Sequence, residues 1–459
     1  MRYSLIFCLF ALTLSSSIYA EDTDSKTGPL TLLRAHQLSL QYDANARAAR
    51  LEKVVQQEEI DKAQSAFLPQ ARLSLYQGRS STDSQTPGFL GAVSKGHSVY
   101  DSSTYSLSVR QSIFNMASYA QYGQAKSETK RSEAALDSAL SSLMSRVSGA
   151  YLDMLLSAEN IHYQEAQKLS IEGQLKQAEQ RYKFGSGTVT EINEAKANLE
   201  TSNAKIIEYK NALENAKRAL ENITGFYPSE FLCLDPSKLS LDVPQPNRVE
   251  DWIANALEKN PDILADEQAL HSADYEVDKN QSGHYPTLDL VASRTETNSD
   301  TNYTIGSKYW TDAVGFQLNV PLYLGGAVTA SVRQARAKFE ELQEKNIQHQ
   351  RDITANVRKY FNEVVNGIAK IQAFNQLVTS NEIALDGTQK AYLAGLKTNV
   401  DVLNAQEKLF SAKRDLVKER YLLVFNRLLL KQYAGLIKGT DIEEVSGIFT
   451  LPVSNKIVN

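Results

Sequence analysis

The sequence is poor in the residues that form disulfides or bind metals. It has two cysteines in 459 residues, and one of them, Cys8, lies in an apolar N-terminal run, so no internal disulfide is expected to hold the fold. The six histidines are scattered, with no HExxH motif and no paired metal spacing. The run Gly185-Ser186-Gly187 lacks the strand and helix context of a phosphate loop or a nucleophile elbow, so it predicts a turn. These absences argue against an enzyme and against a cofactor or metal.

Basic blocks and long apolar runs are also missing. The net charge is −5 at pH 7 and is spread along the chain, so no nucleic acid partner is expected. Residues 1–20 combine Arg2, a short apolar run and small residues that end at Ala20, which predicts a Sec signal peptide and an exported protein. Beyond them no run of about eighteen apolar residues occurs, so we expect no ordinary transmembrane helix.

Proline is absent from two long stretches, between Pro87 and Pro228 and between Pro321 and Pro452. Because proline costs about 3 kcal/mol inside a helix, both stretches are predicted to hold long helices. Four of the eleven prolines lie within residues 228–246. That crowding predicts an irregular linker between two halves of the chain.

One motif occurs twice, in residues 181–199 and in residues 391–409. At an offset of 210 residues the chemistry repeats: Tyr182 aligns with Tyr392, Gly185 with Gly395, Thr188 with Thr398, and Glu191 with Asp401. A glycine can end a helix in the left-handed conformation, a threonine can cap the next helix, and an acidic residue suits its first turn. Each copy therefore predicts the tip of a helical hairpin.

The pairing continues along the chain, from Leu40 with Leu257 to Gly225 with Gly435, and indicates a tandem duplication. Each unit is expected to run half-length helix, two strands, long helix, tip and half-length helix. The predicted divisions are a signal peptide at 1–20, a first repeat at 21–225, a linker at 226–247, a second repeat at 248–437 and a C-terminal tail at 438–459. The linker and the tail are expected at mid-height of the molecule.

The helices are expected to pair as coiled coils. Apolar residues recur every seven positions after each tip, at Ile192, Leu199, Ile206, Leu213 and Leu220 and at Val402, Leu409, Leu416, Leu423, Leu430 and Ile437. Sustained heptads predict left-handed supercoiling. A helix over residues 117–184 would be about 100 Å long. Helices about half as long, over 30–66, 187–222 and 248–284, would stack end to end to match it, which predicts a long helical tube.

Four segments alternate with period two and are predicted strands, at residues 71–76, 105–114, 287–293 and 313–322. Alternation alone fits an ordinary sheet on a protein core equally well. The connecting segments 77–104 and 294–312, predicted as loops, place Tyr100, Tyr303, Tyr309 and Trp310 near the strand ends, which favours a transmembrane barrel. Because four strands cannot close a barrel and open edges are not tolerated in lipid, other copies of the chain are expected to complete it.

Several motifs resemble those of the TolC family of outer-membrane efflux channels, over essentially the whole chain after the signal peptide. They are QSIFNM at 111–116, ITG at 223–225, GHYPTLDL at 283–290, VPLYLGG at 320–326 and both tips. The resemblance implies an α+β membrane protein that forms a homotrimer. Each chain would give four transmembrane strands to a twelve-stranded barrel in the outer-membrane lipid, and the barrel would continue as a coiled-coil tunnel in the periplasm.

The resemblance also implies partners. The tunnel would dock a periplasmic adaptor (membrane fusion protein) and an inner-membrane pump of the RND or ABC class. The channel would then be the exit duct of an efflux or type I secretion system. From the residues alone, a periplasmic coiled-coil adaptor or a structural protein of the cell envelope stays open. Two hairpins and two strand pairs in strict duplication argue against an adaptor, and the strands with period two argue against a purely structural coiled-coil protein.

The family's periplasmic gate maps onto the tips of this chain. Position by position, the gate tyrosine is Tyr392, the first gate aspartate is Asp401, and the family's Thr-Asp pair is Thr190-Glu191. Three copies of Asp401 would form a negatively charged ring at a narrow entrance and would favour cations.

Two gate positions depart from the family pattern. Asn404 stands where the second aspartate is expected, and Lys397 stands where an arginine is expected. One acidic ring is thereby lost, and a bidentate arginine is replaced by a lysine that binds as a point charge. Gly185, Gly187 and Gly395 are assigned to the tips at which the adaptor is expected to dock.

Overall fold

The computed structural model describes residues 29–87, 91, 93–299 and 307–452. The predicted signal peptide at 1–20 and the aromatic residue Tyr303 lie outside the described residues. The helices are α1 (Leu32–Tyr42), α2 (Ala44–Gln64), α3 (Met116–Lys183), α4 (Val189–Thr224), α5 (Val249–Lys259), α6 (Pro261–Gln281), α7 (Ala327–Leu393), α8 (Asn399–Tyr433) and α9 (Gly439–Ser446). The strands are β1 (Gln70–Pro87), β2 (Val93–Phe114), β3 (Leu232–Leu234), β4 (Thr287–Ser299), β5 (Ser307–Asn319) and β6 (Phe449–Pro452).

The two long helices have the predicted length. α3 has 68 residues and α7 has 67 residues, so each spans about 100 Å. α3 packs lengthwise against α2, α4, α6 and α8, and α7 packs against α5, α6 and α8. Shorter helices therefore lie end to end beside each long one, as the heptad pattern predicts.

The expected half-length helices over 30–66 and 248–284 are each divided in two. The first breaks at Asp43 and the second at Asn260. Both breaks have extended backbone, and their side chains accept hydrogen bonds from the next helix, from Ala46 N at 2.8 Å and from Asp262 N at 2.9 Å. Asp and Asn favour such N-caps because they compete with the helical hydrogen bonds of their own backbone.

The heptad residues form the core. Five of the six in the second series are buried: Val402, Leu409, Leu416, Leu423 and Leu430. Leu416, Leu423 and Leu430 belong to one core cluster with buried residues of α7 such as Val357, Val364 and Ile371. In the first series Ile206 and Leu220 are buried and the others are partly exposed. The coiled-coil prediction is confirmed, with the tighter packing in the second half.

The linker and the tail come together at one level. β3 of the linker pairs with β6 of the tail in an antiparallel ladder, and Leu30 forms a parallel bridge with Phe231. The hydroxyl of buried Tyr151, on α3, donates to the carbonyl of Leu30 at 3.0 Å. These contacts tie the start, the middle and the end of the described chain to the long helix.

The four long strands form one antiparallel sheet in the order β1-β2-β4-β5. The strands exceed the predictions, because much of the segments expected as loops is paired. β1 and β2 run beyond β4 as a two-stranded ribbon from the Arg79–Asp101 pair to the Pro87–Val93 pair. The ribbon is polar on both faces, so it lacks the alternation that reveals a half-buried strand in sequence.

The last predicted strand was placed too far along the chain. β5 covers Ser307–Asn319, whereas residues 313–322 were expected. Proline has no N–H to donate to a strand ladder, so pairing ends before Pro321. No helix among the described residues is long and apolar enough to cross a membrane.

Candidate functional site: the two hairpin tips

Both tips close with the same backbone geometry. At the first, the N–H of Gly185 donates to Tyr182 O at 3.0 Å and the N–H of Ser186 donates to Arg181 O at 2.9 Å. The φ of Gly185 is +77°, a region that L-residues with a side chain rarely enter. These bonds satisfy carbonyls left open at the helix end, as in the Schellman motif.

The second tip repeats this arrangement. Gly395 has the same φ of +77°, its N–H donates to Tyr392 O at 3.0 Å, and Leu396 N donates to Ala391 O at 2.9 Å. Gly187 of the first tip has a different role, because a Cβ there would lie 2.9 Å from the backbone nitrogen of Tyr182. It permits a close approach of the chain after the turn.

The helices that leave the tips begin with threonine caps, but the caps differ. Thr188 accepts a hydrogen bond from Glu191 N at 3.2 Å. Thr398 accepts from Asp401 N at 3.2 Å, and the Asp401 carboxylate accepts in return from Thr398 N at 2.9 Å and Thr398 Oγ1 at 2.8 Å. These bonds to Thr398, with a smaller effect of Lys397, lower the pKa of Asp401. Only the second tip completes a capping box.

Tyr392 lies between the two tips. Its side chain is 2 % exposed, and the guanidinium of Arg181, on α3, lies 4.6 Å from the centre of its ring. The buried Oε2 of Glu191 has no hydrogen-bond partner among the described residues. Burial and the charge of Glu191 raise the pKa of Tyr392, while Arg181 opposes the shift.

Asn399 joins the second tip to both helices of the first hairpin. The residue is fully buried. Its amide oxygen accepts from Gln174 Nε2, on α3, at 2.8 Å, and its amide nitrogen donates to Glu191 O, on α4, at 3.2 Å. A buried amide with both ends satisfied fixes the register of the helices that it bridges.

The other predicted gate residues lie at the surface of the single chain. Thr190, Lys397 and Asn404 are exposed. The ammonium of Lys397 lies 3.7 Å from the carboxylate of Asp401, within its own tip. Across the described residues, none of the three makes a hydrogen bond or ion pair to the opposite tip. The structure thus brings Tyr392 and Glu191 together and leaves these three outside that contact.

Sequence reasoning missed three residues of this site, Gln174, Arg181 and Asn399. At the 210-residue offset their counterparts are Ala384, Ala391 and Val189. Each missed residue is therefore polar or charged where its counterpart in the other copy is apolar. A search for chemistry that breaks the internal repeat near the tips would have found all three.

At the other end of the molecule, one face of the sheet carries most of the exposed apolar side chains, together with the ion pairs Arg294–Asp312 and Lys308–Glu296. Leu73 is 65 % exposed, Val314 is 78 % exposed and Phe316 is 74 % exposed. β1 and β5 are the edges of the sheet, and no described strand pairs with either outer edge. No group of three or more His, Cys, Asp or Glu side chains among the described residues could hold a metal.

The chain matches known proteins over nearly its full length. The family model for the outer membrane efflux protein matches residues 35–226 and 252–436. The chain is 32% identical to the proteases secretion protein PrtF of Dickeya chrysanthemi over 93% of this chain and 92% of the relative. It is 28% identical to the outer membrane protein TolC of Escherichia coli over 93% of this chain and 87% of the relative.

A solved structure gives the same fold. The Campylobacter jejuni CmeC outer membrane channel superposes with a TM-score of 0.75, at 17% identity, over 98% of both chains. The TolC resemblance and the predicted fold class are thereby confirmed. The chain belongs to the outer membrane efflux protein family, and it is an outer-membrane channel.

Proposed function

We propose that three copies of this chain close one twelve-stranded barrel, which spans the outer membrane and opens into a periplasmic tunnel built from the helices. The tunnel docks a periplasmic adaptor and, with it, an inner-membrane pump. A signal peptide at residues 1–20 delivers the chain to the Sec pathway. The assembly is the exit duct through which the pump's cargo leaves the cell.

The open, apolar-faced sheet carries this proposal. Unpaired N–H and C=O groups at β1 and β5 cannot be left in lipid, where no water is available to satisfy them. β1 and β5 run antiparallel to one another in this sheet, so the β1 edge of one copy can pair with the β5 edge of the next. Closure by identical copies satisfies both edges and turns the apolar face toward lipid.

At the tips, the contacts within one chain hold the two hairpins together. Asn399 bridges both helices of the first hairpin, and Arg181 covers the ring of Tyr392. The exposed residues Thr190, Lys397 and Asn404 are then available to contact neighbouring copies at a closed entrance. Asp401 supplies the negative ring of that entrance.

We further propose that the cargo includes a secreted polypeptide, moved by a pump of the ABC class. The name of PrtF assigns that relative to protease secretion, and it is 32% identical to this chain. The docking surfaces for the adaptor are the tips around Gly185, Gly187 and Gly395.

Two arginine substitutions on neighbouring residues of β1 test the barrel. Leu73→Arg adds an unpaired charge to the outer face beside Leu107; a lipid-facing arginine costs on the order of 2–4 kcal/mol at the bilayer midplane and less toward the interfaces. Ser74→Arg, on the opposite face, adds the same charge to the water-filled side. Native mass measurement in detergent should find three chains for the wild type and Ser74→Arg and mostly unassembled chains for Leu73→Arg. A stable folded monomer of the wild type would sink the proposal, and so would full assembly of Leu73→Arg.

A further inference from the structure

The face of the sheet opposite the apolar one, here called the inner face, is almost free of charge. The registers place Arg72, Arg110 and Asp289 on it. Its other residues on the described strands are mainly serine, threonine, glycine, glutamine and asparagine. The remaining strand charges, such as those of Arg79 and Asp312, lie on the outer face. All three inner charges lie near the end of the sheet that joins the helices.

These three charges do not balance. Arg110 Nη2 lies 2.5 Å from Asp289 Oδ2, and the Asp289 side chain is 8 % exposed. Arg72 pairs in register with Ser108, so it lies diagonally across from Arg110 on the same face. It is exposed and has no ion pair among the described residues. Two arginines and one aspartate leave one positive charge per chain at this level.

Arg72 and Lys95 are the basic strand residues that have no ion pair among the described residues, and Arg72 is the one on the inner face. Every described acidic residue of the four long strands is paired with a base: Asp83 with His97, Asp101 with Arg79, Asp289 with Arg110, Glu296 with Lys308 and Asp312 with Arg294. On the inner face no carboxylate therefore remains for Arg72. The acid that lies nearest in register, Asp289, is already bound by Arg110.

Closure of the barrel would not supply a partner either. β1 is the edge strand that meets β5 of the next copy in the proposed trimer. The inner face of β5 carries Tyr309, Thr311, Ala313, Gly315, Gln317 and Asn319, which are all uncharged. Its Lys308 and Asp312 point to the outer face. Three copies would thus leave three unpaired arginines around the lumen, where the barrel joins the tunnel.

We propose that Arg72, supported by Arg110, forms an anion-binding ring in the barrel lumen that receives the carboxylates of an acidic polypeptide leaving the tunnel. This inference rests on the proposed trimeric barrel. A guanidinium presents a planar fork of donors that matches a carboxylate. The ring lies above an entrance ringed by Asp401, so the two ends of the duct carry opposite charges. The entrance repels acidic segments, and the ring attracts those that have passed it.

The salt concentration decides whether the proposed ring can act across the barrel lumen. The field of an exposed charge is screened over about 10 Å at 0.1 M salt and about 30 Å at 0.01 M. We therefore expect the ring to act across the lumen only at low ionic strength. Arg72 can be changed without leaving a partner behind. Removal of Arg110, in contrast, would leave the buried carboxylate of Asp289 unpaired.

Single-channel current in planar bilayers, with poly-L-glutamate added on the barrel side, provides the test. At low salt we expect the concentration of poly-L-glutamate that blocks half of the current to be at least about threefold higher for Arg72→Gln than for the wild type. For Arg72→Lys it should stay close to the wild-type value. Arg79→Gln is the matched control, because it removes an exposed arginine from the outer face of the same strand. Poly-L-glutamate should block the Arg79→Gln channel as strongly as the wild-type channel. Added salt should weaken the block of the wild type more than that of Arg72→Gln.

The outcomes separate the two levels of the argument. If the wild type forms no channels, the proposed barrel fails before the ring is tested. If channels form and poly-L-glutamate blocks the Arg72→Gln channel as strongly as the wild type, the proposed anion-binding ring is wrong. An equal effect of Arg79→Gln would show that only the overall charge matters. Block by inorganic polyphosphate without block by poly-L-glutamate would overturn the assignment to carboxylates.

Discussion

The two hairpin tips share a backbone and differ in what their side chains contact. Gly185 and Gly395 have the same φ and the same pair of terminal hydrogen bonds. The residues that follow are capped by threonine in both tips. Yet only the second tip buries an asparagine and a tyrosine against the other hairpin. The turn is set by the residues that the two copies share, and the contact between hairpins by residues that they do not.

The length of one side chain also separates the tips. The carboxylate of Asp401 returns to the cap residue Thr398. The carboxylate of Glu191, one methylene longer, has a buried oxygen without a partner and lies near Tyr392. The same position thus closes a helix cap in one copy and acts on the opposite tip in the other. Duplication preserved the scaffold while these two positions took different roles.

The largest expected effect comes from making the second tip resemble the first. Asn399→Val installs the residue found at the corresponding position, Val189. It leaves the amide of Gln174 without its partner, at a cost of about 1–3 kcal/mol for the unsatisfied group, and it removes a second hydrogen bond from the carbonyl of Glu191, which still accepts within α4. We expect faster hydrogen exchange and faster proteolysis at both tips, and a higher open probability in bilayers.

The reciprocal substitution is the control. Val189 is 51 % exposed, so Val189→Asn should change stability by no more than about 0.5 kcal/mol. Equal protection of the tips in wild type and Asn399→Val would contradict the bridging role of Asn399. Equal losses of protection in Asn399→Val and Val189→Asn would show that the different contacts of the two tips do not contribute differently to stability.

A smaller effect is expected at the ring of Tyr392. Arg181→Ala removes a guanidinium over a buried ring, an interaction worth about 0.5–2 kcal/mol. It also removes the positive charge that opposes the raised pKa of Tyr392. We expect a higher open probability of the channel in planar bilayers. We also expect a further rise in the pKa of Tyr392, measured as the difference between the ultraviolet titration curves of the wild type and a Tyr392→Phe variant, each with and without Arg181→Ala. Arg181→Lys should show smaller changes in the open probability and in the pKa of Tyr392 than Arg181→Ala, because lysine keeps the charge and loses only the planar stacking.

Long periodic elements were predictable from the sequence. The coiled-coil helices follow from heptads and from the absence of proline, and both turns follow from glycine and threonine at fixed positions. The breaks at Asp43 and Asn260 were missed, although Asn260-Pro261 carries a helix-start signal. Their caps depend on local hydrogen bonds that compete with a continuous helix, and periodicity does not record that competition.

The β1–β2 ribbon and the contact between the tips were not predictable for a different reason. A ribbon made mainly of serine, threonine and charged residues has no continuous apolar face, so its pairing rests on backbone bonds and on cross-strand pairs such as Arg79 with Asp101 at 2.9 Å. At the tips, Arg181 meets Tyr392 from the other half of the chain. Contacts between distant segments become visible only once the fold brings them together.

The smallest effect is expected at Asp401, which takes part in the helix cap with Thr398 and in the proposed negative ring of the entrance. Its pKa is lowered by its bonds to Thr398. A lowered folded pKa means that its contribution to stability is present above the pKa of an unfolded aspartate, about 4, and is lost as the pH falls through the lower folded value. The carboxylate is therefore charged at neutral pH.

Asp401→Asn keeps the size of the side chain and removes that charge. We expect the cation preference of the channel, taken from reversal potentials in a salt gradient, to fall at neutral pH. We also expect the wild type to keep its preference until the pH drops below about 4. Glu191→Gln is the matched change at the first tip, where the carboxylate faces Tyr392, so it should alter opening more than selectivity. Equal reversal potentials in wild type and Asp401→Asn would leave Asp401 as a helix cap alone, and the two tips would then differ in structure but not in their effect on passing ions.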